Sequence, residues 1–599
     1  MLAVSATGTR LRPGLHSTPL QKKVMKLNKA LAIVKERRGG ERTRVCFLVC
    51  GCQPLHLATF LQAHLMQRFP DDPVQIMTGL YGDLLGNLGK GAESSATSAA
   101  VVLEWSDLDS RLGMRSSGGW SNRSQADILA TCRERFSQIA ACLQKLASGK
   151  PVVIAPPSLP LPPIGNTISA QSSVFELELQ HALASFLLQI SQVDGVRVVQ
   201  PSHIDRLAPG GSRLDAKMEL LAGFPYTLPY ASALAGSWVE LLWPPPPKKG
   251  LITDLDDTLW SGMVGEAGVD AVSWDLEHHA QAYGLYQQML DHLADCGVLL
   301  GVCSKNELAV VESALRRKDL FLDAETFFPV CAGWGPKSGS VAEILRVWNI
   351  DENSVVFIDD NPMELSEVQQ VFPGLTCLPF PANDANKIWD LLGQLRDLFG
   401  KPFATEEDRL RRASLRATAW IRDSESQSSS PEFIRGLQGV VTLDYKKDAA
   451  NHRALELLNK TNQFNLNGLR MNEGEWRAYM ERPETILSVV SYQDKFGPLG
   501  RIGVVLGFRQ DKVLKITHWA MSCRAFSRRL EYHTLDSLFR ESNAEEIEFA
   551  FQPTERNQPL QDFFRNLGIR QDGACTYKLT QSQFLSRAEE LPHKSEILR

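Results

Sequence analysis

The chain has 599 residues, a formal net charge of -5 and a pI near 6.2. That length holds several domains of ordinary size, and the mildly acidic balance excludes an extended electrostatic footprint for nucleic acid. No stretch reaches the ~18 uninterrupted apolar residues of a membrane span, and the first ten residues lack a signal-peptide core. The eleven cysteines are scattered without a C-x-x-C pair, so the sequence predicts a soluble, cytoplasmic protein with reduced thiols and no membrane partner. Cys46, Cys50 and Cys52 predict no zinc site, because no second ligand pair at suitable spacing follows them.

In chain order, residues 1–40 read as a basic segment with one short helix. A strand from Arg44 to Val49 opens an α/β region with helical patterns near 54–69 and 124–148 and strands at 151–155 and 196–199, which gives a domain over 41–243. Pro244 to Pro247, then Lys248-Lys249-Gly250, is a stiff polar linker over 244–250. Over 251–400, apolar runs (298–303, 354–358) alternate with helical ones (279–296, 307–318, 338–348), the βαβ rhythm of a doubly wound parallel sheet. A charged, helix-like stretch at 405–422 and the Ser-rich 424–430 make a link over 401–430, and a last α/β region fills 431–599. The fold class is therefore α/β and multidomain, with no internal repeat at a fixed period.

Residues 251–260 read Leu-Ile-Thr-Asp-Leu-Asp-Asp-Thr-Leu-Trp, two carboxylates one residue apart at the end of an apolar run. Side chains two apart share one face of a strand. Asp254 and Asp256 are thus predicted to converge on one Mg²⁺ and one phosphoryl group, one attacking phosphorus while the other handles the proton on the leaving oxygen. Three more signals follow: Ser304 after the run 298–303, Lys337 at the start of a helix, and Asp359-Asp360 after Val355-Val-Phe-Ile358. In a parallel sheet these strand ends share one edge, where ligands bind. A phosphoryl group in transfer spreads charge over its oxygens, which suits the Ser304 hydroxyl and the Lys337 ammonium, while Mg²⁺ takes hard oxygens from Asp254 and Asp359. Singly, a serine after a strand is usually a helix cap and a lysine a solvated charge. Their order and placement together point to phosphoryl transfer.

These residues resemble the motif set of the haloacid dehalogenase (HAD) superfamily over about 250–400, with its D-x-D-x-T loop, Ser/Thr, Lys and paired acids. The resemblance implies a phospho-aspartate on Asp254, with Asp256 as general acid and then base and Ser304 and Lys337 on the phosphoryl group. It also implies Mg²⁺ held by Asp254, Asp359 and the backbone carbonyl of Asp256, supported by Asp360. No long insertion lies between Trp260 and the helix near 279, nor between Lys337 and Asp359, which leaves little room for a cap domain and admits a phosphate carried on something large.

Residues 459–470, Asn-Lys-Thr-Asn-Gln-Phe-Asn-Leu-Asn-Gly-Leu-Arg, are too polar for a core element. Together with Phe357-Ile-Asp-Asp-Asn-Pro362, Asp494-Lys-Phe-Gly497, Met521-Ser-Cys-Arg524 and Glu531, they resemble the FkbH family of bifunctional glyceryl transferase/phosphatases, over about 250–575. The resemblance implies that a three-carbon acyl unit, glyceryl or lactyl in type, is taken from 1,3-bisphosphoglycerate. It is loaded through a cysteine thioester onto the phosphopantetheine of an acyl carrier protein and stripped of phosphate, in polyketide or related biosynthesis. Residues 550–569 also resemble the late strand-helix unit of a GNAT-type acyltransferase fold. Cys523 is the acyl-carrying residue on this reading. It follows the alternating run Val513 to Met521 and precedes Arg524, Arg528 and Arg529. Positive charge and a helix N-terminus would lower its thiol pKa, although a strand cysteine is more often a buried core thiol. His518 and His533, as bases, and Arg524 are candidate supports for acyl transfer.

Two departures stand out. Ser527-Arg528-Arg529 replaces the family's usual Gly-Arg-Gly turn, removing two glycines that let a backbone approach a phosphate. Leu365 replaces an arginine that often follows Asn-Pro-x-Glu, which predicts altered contacts with the substrate phosphate. Residues 44–243 resemble a degenerate SGNH-hydrolase-like domain, with Cys52-Gln53-Pro54 where an active hydrolase has Gly-Asp-Ser. The nucleophile is missing, and Asp107 and the Asp215 to Tyr226 stretch form no triad, so the domain is expected to be structural or to dock a partner. The competing readings are a stand-alone phosphatase of a phosphorylated metabolite with a C-terminal binding module, and a non-enzymatic scaffold. The full set of acids speaks against the scaffold.

Overall fold

The computed structural model describes residues 24–36, 39, 43–116, 121–163, 168, 171–207, 210–401, 434–522, 525–526, 528–554, 556–572, 576–588 and 591–599. The link expected at 405–422 and 424–430 lies outside these residues. The chain divides into two compact units, Met1–Pro245 with Asn472–Tyr479, and Pro246–Met471 with Met480–Arg599. It is an α/β protein with two parallel sheets and a C-terminal mixed sheet. Among the described residues no helix is long and apolar enough to cross a membrane, and their cysteines are all free.

The first unit is built on strands β1 (Arg44–Val49), β2 (Val74–Thr78), β3 (Ser98–Val102), β4 (Val152–Ala155) and β5 (Val196–Val198). They are parallel in the order β2-β1-β3-β4-β5. The central strands are continuous apolar runs because helices cover both faces. Phe60 and Trp238, from helices Leu55–Arg68 and Leu228–Leu242, fill one side, and Phe136 and Phe186, from Gln125–Ala147 and Val174–Ser191, fill the other. The short helix expected before Arg44 runs over Leu27–Lys35.

The second unit contains a parallel sheet of β6 (Gly250–Thr253), β7 (Leu299–Ser304), β8 (Phe327–Ala332), β9 (Val355–Asp359) and β10 (Thr376–Pro379). Its order is β10-β9-β6-β7-β8. The helix Lys337–Trp348 buries Val341, Ile344 and Trp348, a stripe at helical spacing. A Cβ at Gly250 or Gly301 would lie 2.5 or 3.0 Å from the Trp348 ring, so the two glycines set how closely this helix approaches the sheet. Leu365, expected to change contacts with the substrate phosphate, is instead buried in this same core with Trp348 and Val368.

The unit also holds eight further strands: β11 (Val440–Asp444), β12 (Thr485–Asp494), β13 (Gly497–Gln510), β14 (Val513–Met521), β15 (Glu546–Phe549), β16 (Arg570–Asp572), β17 (Thr576–Thr580) and β18 (Lys594–Leu598). They form one mixed sheet ordered β16-β17-β15-β14-β13-β12-β11-β18. The polar stretch 459–470 begins at the end of the helix His452–Lys460 and continues beside the sheet as a loop whose amides serve the backbone. The Asn465 side chain is buried, donating to Thr461 O at 3.0 Å and accepting from Gly468 N at 2.8 Å. Asn467 donates to Thr517 O at 2.8 Å and Ala550 O at 3.0 Å. Polarity here satisfies buried backbone groups that no ladder reaches.

Candidate active site

In the parallel sheet of the second unit, the chain order runs one way from β6 to β7 and β8 and the other way from β9 to β10, so the topology reverses between β6 and β9. Ligands bind at the carboxyl ends of strands at such a point. Asp254 follows β6 and Asp359 ends β9, and the Asp254 N–H donates to Ile358 O at 2.9 Å. Lys337, at the first turn of its helix, brings its Nζ within 2.9 Å of Asp254 Oδ2 and 2.6 Å of Asp359 Oδ2. Carboxylate oxygens of Asp254, Asp359 and Asp360 all lie within 4.8 Å of one another.

The electrostatics follow from burial. Loss of water pushes the Asp254 carboxyl up to about 7, with Lys337 opposing and Asp359 reinforcing the shift. Asp359 and Asp360 are raised by burial as well. Burial disfavours the Lys337 ammonium, but Asp254 and Asp359 more than offset it and hold its pKa above the ordinary lysine value. Three acids thus crowd around one ammonium, in a pocket of hard oxygen donors with negative charge to spare. That donor set fits Mg²⁺.

Asp256 occupies a different place from the one its spacing predicts. β6 ends at Thr253, so Asp254 and Asp256 both lie beyond the strand and do not alternate on one face. Asp256 Oδ1 accepts from Trp260 Nε1 at 2.9 Å and Val264 N at 3.0 Å, and its Oδ2 accepts from Asn306 Nδ2 at 2.9 Å. Its carboxylate is therefore not among the three clustered acids. Asn306 also donates to Ser304 Oγ at 3.1 Å and so couples Ser304 to Asp256. The sequence reading missed Asn306; its signal is a polar residue two positions beyond Ser304, where the chain has just left a buried strand. Lys305 pairs with Glu364 at 2.6 Å and the Ser338 N–H bonds Glu367 at 3.0 Å, tying these loops to the helix Pro362–Val371.

Among the acyl-transfer candidates, Cys523 and Arg524 lie outside the described residues, as does Ser527. His518 is buried on β14, with Nδ1 3.0 Å from Thr517 Oγ1. Arg528 is buried against Asp494 at 3.3 Å, which joins two of the motifs quoted above. Arg529 adopts φ 57°, so the left-handed conformation suited to glycine persists here with an arginine. Glu531 follows in the first turn of the helix Leu530–Ser542, its carboxyl pushed up to about 7 by burial.

His533 is packed rather than poised. Its Nδ1 lies 2.8 Å from Ser595 Oγ, its Nε2 accepts from His593 N at 3.3 Å, and the two imidazoles stack at 5.5 Å. Burial first, then His593, drive its pKa down to about 4. A histidine lowered in the folded state binds its proton in the unfolded state first, so stability is complete above about pH 6.5 and is lost as pH falls toward about 4, by about 3 kcal/mol in full. Unfolding midpoints of the parent chain and His533→Gln, taken at neutral pH and near pH 4.5, should show the smaller acid loss in the variant. Equal losses would remove His533 as the cause.

In the first unit, Cys52 lines a cavity of about 980 Å³ together with Glu104, Asp107 and Tyr226. The neighbouring Cys50, and then burial, hold the Cys52 thiol well above its ordinary range, so it is no substitute nucleophile. The Glu104 carboxylate is occupied by the Ser158 and Leu159 N–H groups and the Tyr226 and Ser158 hydroxyls. Asp215 caps the helix Ala216–Ala222 by accepting from Met218 N at 2.9 Å. Asp107 accepts from the Glu104 N–H at 2.8 Å, so Asp107, Asp215 and Tyr226 each have structural partners.

No family model and no curated protein matches the chain. Among solved structures, it is similar to the N-terminal part of the protein BF1531 from Bacteroides fragilis, which contains a phosphatase domain and was solved with Mg, at 19% identity, over 63% of this chain and 99% of that one, with a TM-score of 0.48. It is also similar to a GDSL-like lipase candidate from Parabacteroides merdae (15% identity, 34% and 96% covered, TM-score 0.22). A third similarity is to a fungal β-N-acetylglucosaminidase with a GCN5-related glucosamine N-acetyltransferase region (11% identity, 92% and 67% covered, TM-score 0.16). With every TM-score below 0.5, the chemistry of this chain rests on its own side chains.

Proposed function

We propose that residues 251–400 form a Mg²⁺-dependent phosphatase working through a phospho-aspartate on Asp254. The observation that carries this reading is the cluster of Asp254, Lys337 and Asp359 beside Asp360 at the topological switch point. The Asp254 carboxylate attacks phosphorus, the bond from phosphorus to the leaving oxygen breaks, and Asp256 gives that oxygen a proton. Asp256 then takes a proton from the water that attacks the aspartyl phosphate, which frees inorganic phosphate and restores Asp254. Asn306 keeps Asp256 aligned with Ser304, and Ser304 and Lys337 bind the phosphoryl oxygens. Asp254, Asp359, Asp360 and the Asp256 carbonyl would hold Mg²⁺, which neutralises charge on those oxygens when bound.

The finer reading adds acyl transfer by the C-terminal domain. The Cys523 thiolate attacks the acyl carbon of an acyl phosphate such as 1,3-bisphosphoglycerate, the carbon–oxygen bond to phosphate breaks, and phosphate leaves. The phosphopantetheine thiol of an acyl carrier protein then takes the acyl group by thioester exchange, and the Asp254 site removes the remaining phosphate. The motifs at 459–470 and 494–531 support it, as does the buried Asp494–Arg528 pair at the turn after Cys523.

Phosphate release from a panel of phosphate monoesters tests the phosphatase. Excess EDTA should lower the rate by about 100-fold or more, and added Mg²⁺ should restore it. Full activity in EDTA overturns the assignment.

A further inference from the structure

In the sheet of the first unit the strand order also reverses, between β1 and β3, and the cavity of about 980 Å³ opens at the carboxyl ends of those two strands. Such a crevice is where ligands bind in parallel sheets. Gly51 and Cys52, which follow β1, line it, and so does Asp107 from the helix Trp105–Leu108 after β3. The other walls carry Arg135 from the helix Gln125–Ala147 and Glu219 from the helix Ala216–Ala222. The phosphatase chemistry uses none of these residues.

Five acids and three arginines line the cavity, and most of them are already engaged. Asp83 accepts from Gly86 N at 2.8 Å, and Glu104 is held by the four donors described above. Arg111 grips Asp109 at 2.9 and 2.6 Å and Asp127 at 2.7 Å, while Arg115 donates to the Tyr81 hydroxyl and to Leu220 O. Three groups are left over. Asp107 gives Oδ2 to the Glu104 N–H, but its Oδ1 has no hydrogen-bond partner among the described residues and lies over Gly51, where a Cβ would come within 1.8 Å of it. The Glu219 carboxylate and the Arg135 guanidinium have no hydrogen-bond or ion-pair partner among the described residues either. Burial, with Glu219 adding to it against the Glu104 N–H and Arg135, lifts the Asp107 carboxyl to about 7, and burial raises Glu219 too. A cationic group in the cavity offsets that cost, and an anionic group pairs with Arg135, whose planar fork suits a carboxylate. Leu84, Leu108, Leu112 and Leu159 give the remaining wall an apolar character.

We propose that this cavity binds a short peptide with free ends and apolar side chains, its ammonium held by Asp107 and Glu219 and its carboxylate by Arg135. A ligand with one charge leaves part of the set unmatched: an anion meets five acids, and a simple amine leaves Arg135 without a partner. Size separates the zwitterions. About 980 Å³ lies at the upper end of the range that encloses drug-sized ligands, more than one amino acid fills. Binding requires no nucleophile, which agrees with the engaged Glu104 carboxylate and the raised Cys52 thiol.

The test is equilibrium dialysis of the full chain, read by mass spectrometry, against pools of tripeptides made from alanine, leucine and phenylalanine. One pool has free ends, one has acetylated N-termini and one has amidated C-termini. The free pool should be retained, and either cap should weaken retention by about ten-fold or more, because it leaves a desolvated charge unpaired. Arg135→Met should bring the free pool down to the level of the amidated one and leave the amidated pool unchanged. Asp107→Asn combined with Glu219→Gln should do the same for the acetylated pool, and the Asn keeps an oxygen for the Glu104 N–H. No retention of the free pool, or retention that ignores the caps, overturns the site. Variants that weaken all pools alike overturn the assigned charges. Free phenylalanine held as tightly as the tripeptides overturns the peptide and makes an amino acid the occupant. The capped pools are read on the parent chain, so the charges are tested even where a variant fails to fold.

Discussion

Asp254→Asn should cut phosphate release by about three orders of magnitude or more while the chain stays folded. The amide is a poor nucleophile toward phosphorus and a poorer ligand for Mg²⁺. The fold should survive because Lys337 keeps Asp359 at 2.6 Å, so the buried ammonium does not lose its last partner. Breaking a buried pair completely would cost about 3–5 kcal/mol; here one carboxylate of a crowded set is neutralised. The measurement is phosphate release at saturating Mg²⁺ beside a thermal melt of the same preparation. Release at the parent rate with an unchanged melt would exclude Asp254 as nucleophile. A collapsed melt would show instead that its charge is needed for the fold.

Cys523→Ala should abolish acyl loading of a carrier protein while a small phosphate ester is still hydrolysed at the Asp254 site. The two activities should separate because each has its own nucleophile, carboxylate oxygen in one and thiolate sulfur in the other. Brief exposure of the parent chain to 1,3-bisphosphoglycerate should leave a hydroxylamine-labile acyl adduct on the peptide containing Cys523, read by mass spectrometry of the digested chain. An adduct on another cysteine, or undiminished loading of the carrier by Cys523→Ala, would remove this residue from the mechanism. Loss of both activities in Cys523→Ala would deny that they are independent.

Some of this could be read along the chain because the physics is local. Val355 to Ile358 announces a buried strand by its continuous apolar character and Val513 to Met521 a strand by its alternation, and the proline run at 244–247 marks where one compact unit ends. The candidate acids and Ser304 were legible for the same reason, since each is a polar residue placed just where an apolar run stops, and Lys337 was legible as the opening residue of a helix. What the spacing suggested about Asp254 and Asp256 did not survive, because β6 ends at Thr253 and the alternation of a strand no longer applies beyond it.

Contacts between distant segments were decided only by the tertiary structure. Asp254 meets Asp359 because β6 and β9 are neighbours in the sheet, a pairing across 105 residues that no local pattern encodes. The same strand order makes Lys337 a bridge between the two carboxylates and brings Asn306 to Asp256. Leu365 joins the core, and His533 packs against His593 and Ser595, some sixty residues away. Sequence by itself determined which residues have the chemistry and which segments are buried, since both depend on residue type and short-range order. Their convergence on one site depends on strand order, which is set by the packing of whole layers.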